Sequence, residues 1–278
     1  MIPITVGLKR NTIDKYYTKN NIVKYCIDLI TKYIKINKKT DLIIEPSAGN
    51  GSFIPYIKKL SDNYKFYDLK PEHSGIDKQD FLKYNPKNIL NKYKNIHIIG
   101  NPPFGRQSSF AIKFIRKSCE FCDTLSFILP KSFKKTSLQN KVPSNFHLVV
   151  QKDLPAYSFT VNNNDYDVPC IFQIWIKKSF ERKKELKQKS KIFTFVKKEE
   201  HPDIAIRRIG VNAGKVYDNI GEKNTNSHYF IKINNGVDKN KIIDLIKKNN
   251  YNLFNNTVGP LSISKQELIL FYSFLSNV

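Results

Sequence analysis

Apolar positions along the chain fall into two alternating rhythms. Between residues 14 and 36, Ile22, Cys26, Leu29, Ile30 and Tyr33 recur at helical spacing and predict an amphipathic helix. The run DLIIE at 41–45 is short, apolar and stopped by Pro46, and reads as a buried strand. Gly49 and Gly51 follow at once, then a second helical stretch to about Leu60. The strand pattern returns at 64–69, 95–100, 124–129, 147–150 and 170–176, with a helical stretch over 107–121. Strands alternating with helices predict an α/β unit with a mainly parallel sheet. The breaks at Pro46, at Asn101-Pro102-Pro103 and at Pro130 all fall just after strands. In open α/β sheets that is the ligand side.

The pattern fails over 177–191, where KKSFERKKELKQKSK is highly charged and lacks a strong apolar face. It reads as a linker or exposed helix. The expected division is a domain over 1–178 and a tail over 179–278. No internal repeat is visible.

Charge adds a partner class. Lys plus Arg is 47 and Asp plus Glu 24, a net charge of +23. A protein this basic meets polyanions readily, and nucleic acid leads that class. An AT-rich coding sequence offers a second account, since Lys, Asn and Ile are abundant and only six of the 47 basic residues are Arg. No apolar run approaches the roughly 18 residues that span a bilayer. The start MIPITVGLKR has no signal-peptide pattern. Cys119 and Cys122 form a CxxC, but Cys26 and Cys170 stand alone. Reduced thiols are expected rather than zinc or disulfides. A soluble intracellular protein with no bound metal is the expectation.

Candidate chemistry gathers after the strands. EPSAGNGSF at 45–53 puts glycines at a strand-to-helix turn, where a ligand can approach the backbone closely. It is neither GxGxxG nor followed by GK[ST], so dinucleotide and triphosphate readings lose ground. Asp68 ends the next strand, where an acid suits ribose hydroxyls, with Glu72 in reserve. In Asp80-Phe81 the carboxylate can accept from an adenine amine while the ring packs on its face, and Asp77 competes for this role. Taken alone, Asp68 also reads as an ordinary surface carboxylate.

Asn101-Pro102-Pro103-Phe104 directly follows the 95–100 strand. An exocyclic amine is a poor nucleophile, because its lone pair is delocalised into the ring. Accepting both of its N–H protons shifts that nitrogen toward a lone-pair-bearing form. The Asn101 oxygen supplies one acceptor and the Pro102 carbonyl the other, its direction fixed by the proline pair. Phe104 offers an apolar face to an extruded base. Without this chemistry, NPPF is a turn.

These features resemble known motifs. EPSAGNGSF is similar to motif I, (D/E)PxxGxGxF, of class I S-adenosylmethionine-dependent methyltransferases, and NPPF to motif IV, (N/D/S)PP(Y/F), of the amino-methyltransferases among them. The order of motifs resembles the gamma-type N6-adenine DNA methyltransferases over roughly residues 14–177. Tyr16-Tyr17-Thr18 looks like the element (F/Y)xTP, with Lys19 in place of proline, and the resemblance gives Thr18 to the methionine carboxylate. FILPK at 127–131 resembles the fifth-strand element and brings Lys131 to the substrate side.

The resemblance implies an α/β fold: a Rossmann-like seven-stranded sheet with helices on both faces, its last strand antiparallel at CIFQIWI, 170–176. A small C-terminal α+β recognition region follows. It implies S-adenosylmethionine held by Tyr17, Thr18, Glu45, Ser47, Ala48, Gly49, Asp68, Asp80 and Phe81. Asn101, Pro102, Pro103 and Phe104 would be catalytic. The loop before the last strand would supply an aromatic for the base, with Tyr157, Phe159 and Tyr166 as candidates and Phe159 chosen. Lys131, Arg207 and Arg208 would hold nucleic acid. The implied activity is N6-adenine methylation of DNA. RNA is the near alternative. A protein glutamine methyltransferase and a silent nucleic-acid-binding subunit stand further off.

Overall fold

The computed structural model describes residues 16–183, 188–248 and 261–273. The chain forms two compact units, one running to Lys184 and the other continuing from Glu185.

The first unit opens with β1 (Tyr17–Thr18) and α1 (Asn20–Tyr33). The helix starts later than the periodicity predicts, because Tyr17 and Thr18 are drawn into strand pairing. Then come β2 (Leu42–Glu45), α2 (Ile54–Leu60), β3 (Asn63–Asp68), β4 (Asp77–Lys78) and β5 (Ile96–Gly100). They are followed by α3 (Ser109–Cys119), β6 (Thr124–Pro130) and the short α4 (Thr136–Gln139). The unit ends with β7 (Phe146–Asp153), β8 (Phe159–Val161), β9 (Asn164–Tyr166) and β10 (Cys170–Lys177).

Seven of these strands form one sheet in the order β4-β3-β2-β5-β6-β10-β7. Neighbours from β4 to β6 run parallel, and β10 runs antiparallel to both β6 and β7. Every residue of β2, β5 and β6 is buried. Successive strand residues face opposite sides of a sheet, so full burial means that both faces are covered. On one face Leu42, Ile44, Ile98, Leu125 and Phe127 pack with Ala111, Phe114 and Ile115 of α3. The strand order reverses between β2 and β5, which makes the crevice beyond their carboxyl ends the switch point of the fold. EPSAGNGSF leaves β2 and NPPF leaves β5, so both motifs open onto it.

A smaller sheet, β1-β8-β9, ties the start of the unit to the connection before β10. The β8–β9 hairpin turns at Asn162 and Asn163, both with positive φ.

The second unit contains β11 (Phe193–Val196), β12 (Ile204–Arg207), β13 (Val216–Tyr217), β14 (His228–Ile233), α5 (Lys239–Lys248) and α6 (Lys265–Phe271). Its sheet is antiparallel, in the order β11-β14-β12-β13. Ile206, Ile231, Ile246, Leu268 and Tyr272 centre a core separate from that of the first unit. Residues 179–183, expected in the tail, belong to the first unit. Arg182 explains this: its guanidinium donates to the carbonyls of Gln139, Phe146 and Val142 at 2.7, 3.0 and 2.8 Å and lies over the Trp175 ring.

Candidate active site

The turn after β2 is shaped by glycine. Gly49 has φ +53° and Gly51 φ +84°, and a Cβ on Gly51 would lie 2.8 Å from Ile54. The turn is fastened to β3 by Ala48 N–H donating to the Tyr67 carbonyl (2.9 Å) and Gly49 N–H to Asp68 Oδ2 (2.9 Å). It is fastened to the second motif by Ser47 Oγ donating to the Asn101 carbonyl at 3.1 Å. A Cβ on Gly100 would lie 3.2 Å from Glu45 Cγ. The two motifs are therefore in direct contact, side by side at the switch point.

Acids gather on the EPSAGNGSF side. Asp68 accepts from Gly49 N–H and, through Oδ1, from Lys70 N–H (2.8 Å), and each oxygen keeps a second lone pair. Glu72 N–H donates to the Gly49 carbonyl, and its carboxylate accepts from Tyr17 Oη at 2.6 Å. The Tyr17 ring lies against Gly49, 3.6 Å from where a Cβ would stand. Glu45 is 2% exposed, and its Oε2 is buried without a hydrogen-bond partner. Burial first, and the Asp68 charge second, push the Glu45 carboxyl well above the usual carboxylate range. The protonated form this favours is a donor as well as an acceptor.

The residues present fit S-adenosylmethionine. Its positive sulfonium and its ribose and adenine groups need acceptors, and a cluster of acids within a chain of net charge +23 supplies them. The orphaned Glu45 oxygen adds a buried polar group still without a partner beside these acids. Asp80 accepts from Leu82 N–H at 3.0 Å. Phe81 is a correction: its ring is 1% exposed and packs on Phe114 and Tyr84, so it builds core and offers no face to a ligand.

On the other side, the Asn101 amide nitrogen donates to the Tyr16 carbonyl and to Thr18 Oγ1, both at 3.3 Å. Its Oδ1 is buried and unpaired. Among the described residues no donor reaches the Pro102 carbonyl. Pro102 is buried and Pro103 half-buried. Phe104 is 5% exposed, and its ring stacks with Tyr16 at 6.1 Å between centroids. The Tyr16 ring also stacks with Tyr166 at 5.4 Å.

Phe159 is the second correction. It is fully buried, opposite Thr18 in the β1–β8 pairing, and supports the Tyr16–Thr18 strap instead of facing a base. Tyr166 is half-buried beside Tyr16, and Tyr157 is 57% exposed. Tyr16 was legible as the aromatic position of the (F/Y)xTP-like element, but no periodicity marks its place in the stack. Lys131 follows β6 at the same end of the sheet, its N–H donating to the Pro169 carbonyl.

Arg207 and Arg208 lie in the second unit. Arg207 is tied to the Ile209 carbonyl and Ser227 Oγ. Arg208 stacks over Tyr229 and lines a cleft of about 300 Å³ with Lys197, Lys198, His228 and Lys265.

No protein-family model matches the chain. It is 26% identical over 166 residues to the type II methyltransferase M.HincII of Haemophilus influenzae, and equally to M.HindII of the same species. Each match takes in 56% of this chain and 30% or 29% of the relative, so the chain spans under a third of their length. Among solved structures, TrmN of Thermus thermophilus superposes with a TM-score of 0.37 and 14% identity, over 57% of this chain and 49% of that one. An rRNA methylase of Streptococcus thermophilus gives 0.36 and 12%, over 56% and 94%. Both likenesses are too partial to bear on function. Strand order and the placement of the two motifs identify a Rossmann-like α/β methyltransferase fold, in a chain whose sequence is similar to these type II methyltransferases.

Proposed function

We propose that the protein transfers a methyl group from S-adenosylmethionine to the N6 amine of adenine in DNA. The observation that carries this reading is the state of the NPPF acceptors. Asn101 Oδ1 is buried and unpaired, and the Pro102 carbonyl beside it accepts no hydrogen bond from the described residues. An unsatisfied buried acceptor is costly and calls for a partner. The unpaired Asn101 oxygen and the open Pro102 carbonyl on the next residue match the two protons of an aromatic amine.

S-adenosylmethionine supplies an electrophilic methyl group on a good leaving group, so positioning dominates the chemistry. Glu45, Ser47, Ala48, Gly49, Asp68, Asp80 and Tyr17 form its side of the crevice, with Glu72 holding Tyr17 in place. Asn101 and Pro102 draw the N–H protons and direct the nitrogen lone pair outward from the ring plane. The half-buried Tyr16 and Tyr166 rings, stacked on each other with Phe104 buried against Tyr16, supply the apolar wall for an extruded base. Lys131 in the first unit, and Arg208 with the lysines of the cleft in the second, offer charge to phosphates. The second unit is the recognition region in this reading. The resemblance to DNA methyltransferases favours DNA, and RNA is the second substrate to test.

Tritiated S-adenosylmethionine with unmethylated DNA and RNA tests the assignment. Label at adenine N6 is expected with the wild type. Asn101→Ala should lose at least 100-fold in rate, roughly 3 kcal/mol of barrier, while binding S-adenosylhomocysteine as before. Equal label with the alanine variant would contradict the role given to Asn101.

A further inference from the structure

The Asn101 amide is held from behind by groups that the proposed chemistry leaves unused. A backbone carbonyl can only accept, so the amide atom facing the Tyr16 carbonyl at 3.3 Å must be the nitrogen. The second amide proton goes to Thr18 Oγ1, also at 3.3 Å. Both donors of the amide are thereby committed, and its oxygen is left turned away from them. Turned by 180°, the amide would set its oxygen against the Tyr16 carbonyl oxygen and lose that bond, while the Thr18 hydroxyl, able to donate or accept, would hold either orientation in place. Only the present orientation offers an acceptor, which selects a donating amine over an oxo group at the same place.

The holding groups are themselves fixed. Thr18 is 7% exposed and pairs with Phe159 across β1–β8. Next to it, Lys19 N–H donates to the Ser158 carbonyl at 3.1 Å, and Lys19 Nζ pairs with Asp165 at 2.7 Å. The hairpin between β7 and β10 therefore anchors the strap, and the strap sets the amide.

We propose that Thr18 is a positioning residue. Its hydroxyl oxygen, with the Tyr16 carbonyl, locks the Asn101 amide so that Oδ1 faces the target amine. This differs from a duty to the cofactor's carboxylate and rests on the function proposed above only for the identity of the amine. A hydroxyl accepts through its lone pairs, so serine keeps the lock and the near-isosteric valine removes it.

The test compares Thr18→Ser and Thr18→Val in the full chain by three measurements. The first is side-chain amide hydrogen exchange of Asn101 by NMR with selectively labelled asparagine. The second is the Kd for S-adenosylhomocysteine by calorimetry. The third is kcat and KM with tritiated cofactor and unmethylated DNA. Positioning predicts that Thr18→Val speeds amide exchange at least tenfold and lowers kcat at least tenfold, with KM for DNA and the Kd within about twofold. Thr18→Ser should stay within about threefold of wild type throughout. A Kd raised tenfold in Thr18→Val with the Asn101 amide still protected would overturn the proposal and give Thr18 to the cofactor. A wild type that labels no nucleic acid would sink the proposed function, while the exchange measurement would still decide this one.

Discussion

Left-handed backbone crowds the turn that leaves NPPF. Gly105 has φ +68°, Gln107 +53° and Ser108 +61°. Such positions persist when their surroundings over-determine them, and they gather at functional sites. Here the Phe104 carbonyl accepts from both Phe110 N–H (3.1 Å) and Ala111 N–H (3.3 Å), pinning the motif to the start of α3. A Cβ on Gly105 would fall 2.5 Å from Phe110 Cδ2 and 3.0 Å from its backbone nitrogen. Gly105→Ala should therefore cost about 1–3 kcal/mol and at least tenfold in rate, with S-adenosylhomocysteine affinity unchanged because the Gly49 turn is untouched. Thermal denaturation alongside calorimetry checks this, and an alanine variant that melts and turns over like wild type would contradict it. At this scale the sequence revealed residues whose chemistry shows in a local pattern, such as Asn101 between a strand and two prolines. It did not reveal that Thr18, 83 positions away, holds that amide. Nor did it separate an aromatic facing a base from one such as Phe159 that is buried under the strap.

At the scale of elements, the end of the sheet opposite the site carries its own polar network. Asp41, just before β2, accepts from Asn37 N–H (2.8 Å), Asn95 Nδ2 (3.0 Å) and His97 Nε2 on β5 (3.2 Å). With His97 Nε2 donating, its Nδ1 accepts from Thr124 Oγ1 on β6 at 2.8 Å. Burial pushes the His97 pKa down against the pull of Asp41. Burial works to raise the Asp41 pKa, but hydrogen bonds from Asn37, His97 and Asn95 outweigh it, and the net shift is downward. Both groups bind protons less readily when folded, so their contribution to stability is full at neutral pH and is lost with acid. The His97 part declines as pH drops below about 6.5, and the Asp41 part adds below about 4. His97→Gln should cost about 1–3 kcal/mol at pH 7 and flatten the loss between pH 7 and 5, read from urea midpoints at both values. An unchanged slope would contradict the assignment. Strands β2, β5, β6 and β10 were legible because both faces are buried, which writes continuous apolar runs. The two-residue β4 and the three-residue β8 and β9 are too short to write any period, although Asn162-Asn163 is a turn signal that could have found the hairpin.

For the whole molecule, net charge is a weaker guide than the local motifs. The net charge of +23 points to a polyanion but is too evenly spread to locate its face. The site instead became legible from punctuation: glycines after one strand and prolines after another, which the reversal between β2 and β5 makes neighbours. The boundary between the units was less legible, because the charged stretch hides Arg182, whose guanidinium is spent on three carbonyls of the first unit. The most direct measurement is nucleoside mass spectrometry of DNA and RNA from cells expressing the wild type or Asn101→Ala. N6-methyladenine should rise in DNA with the wild type and stay at background with the variant. No rise with the wild type, or the same rise with both, would contradict adenine methylation by the NPPF acceptors.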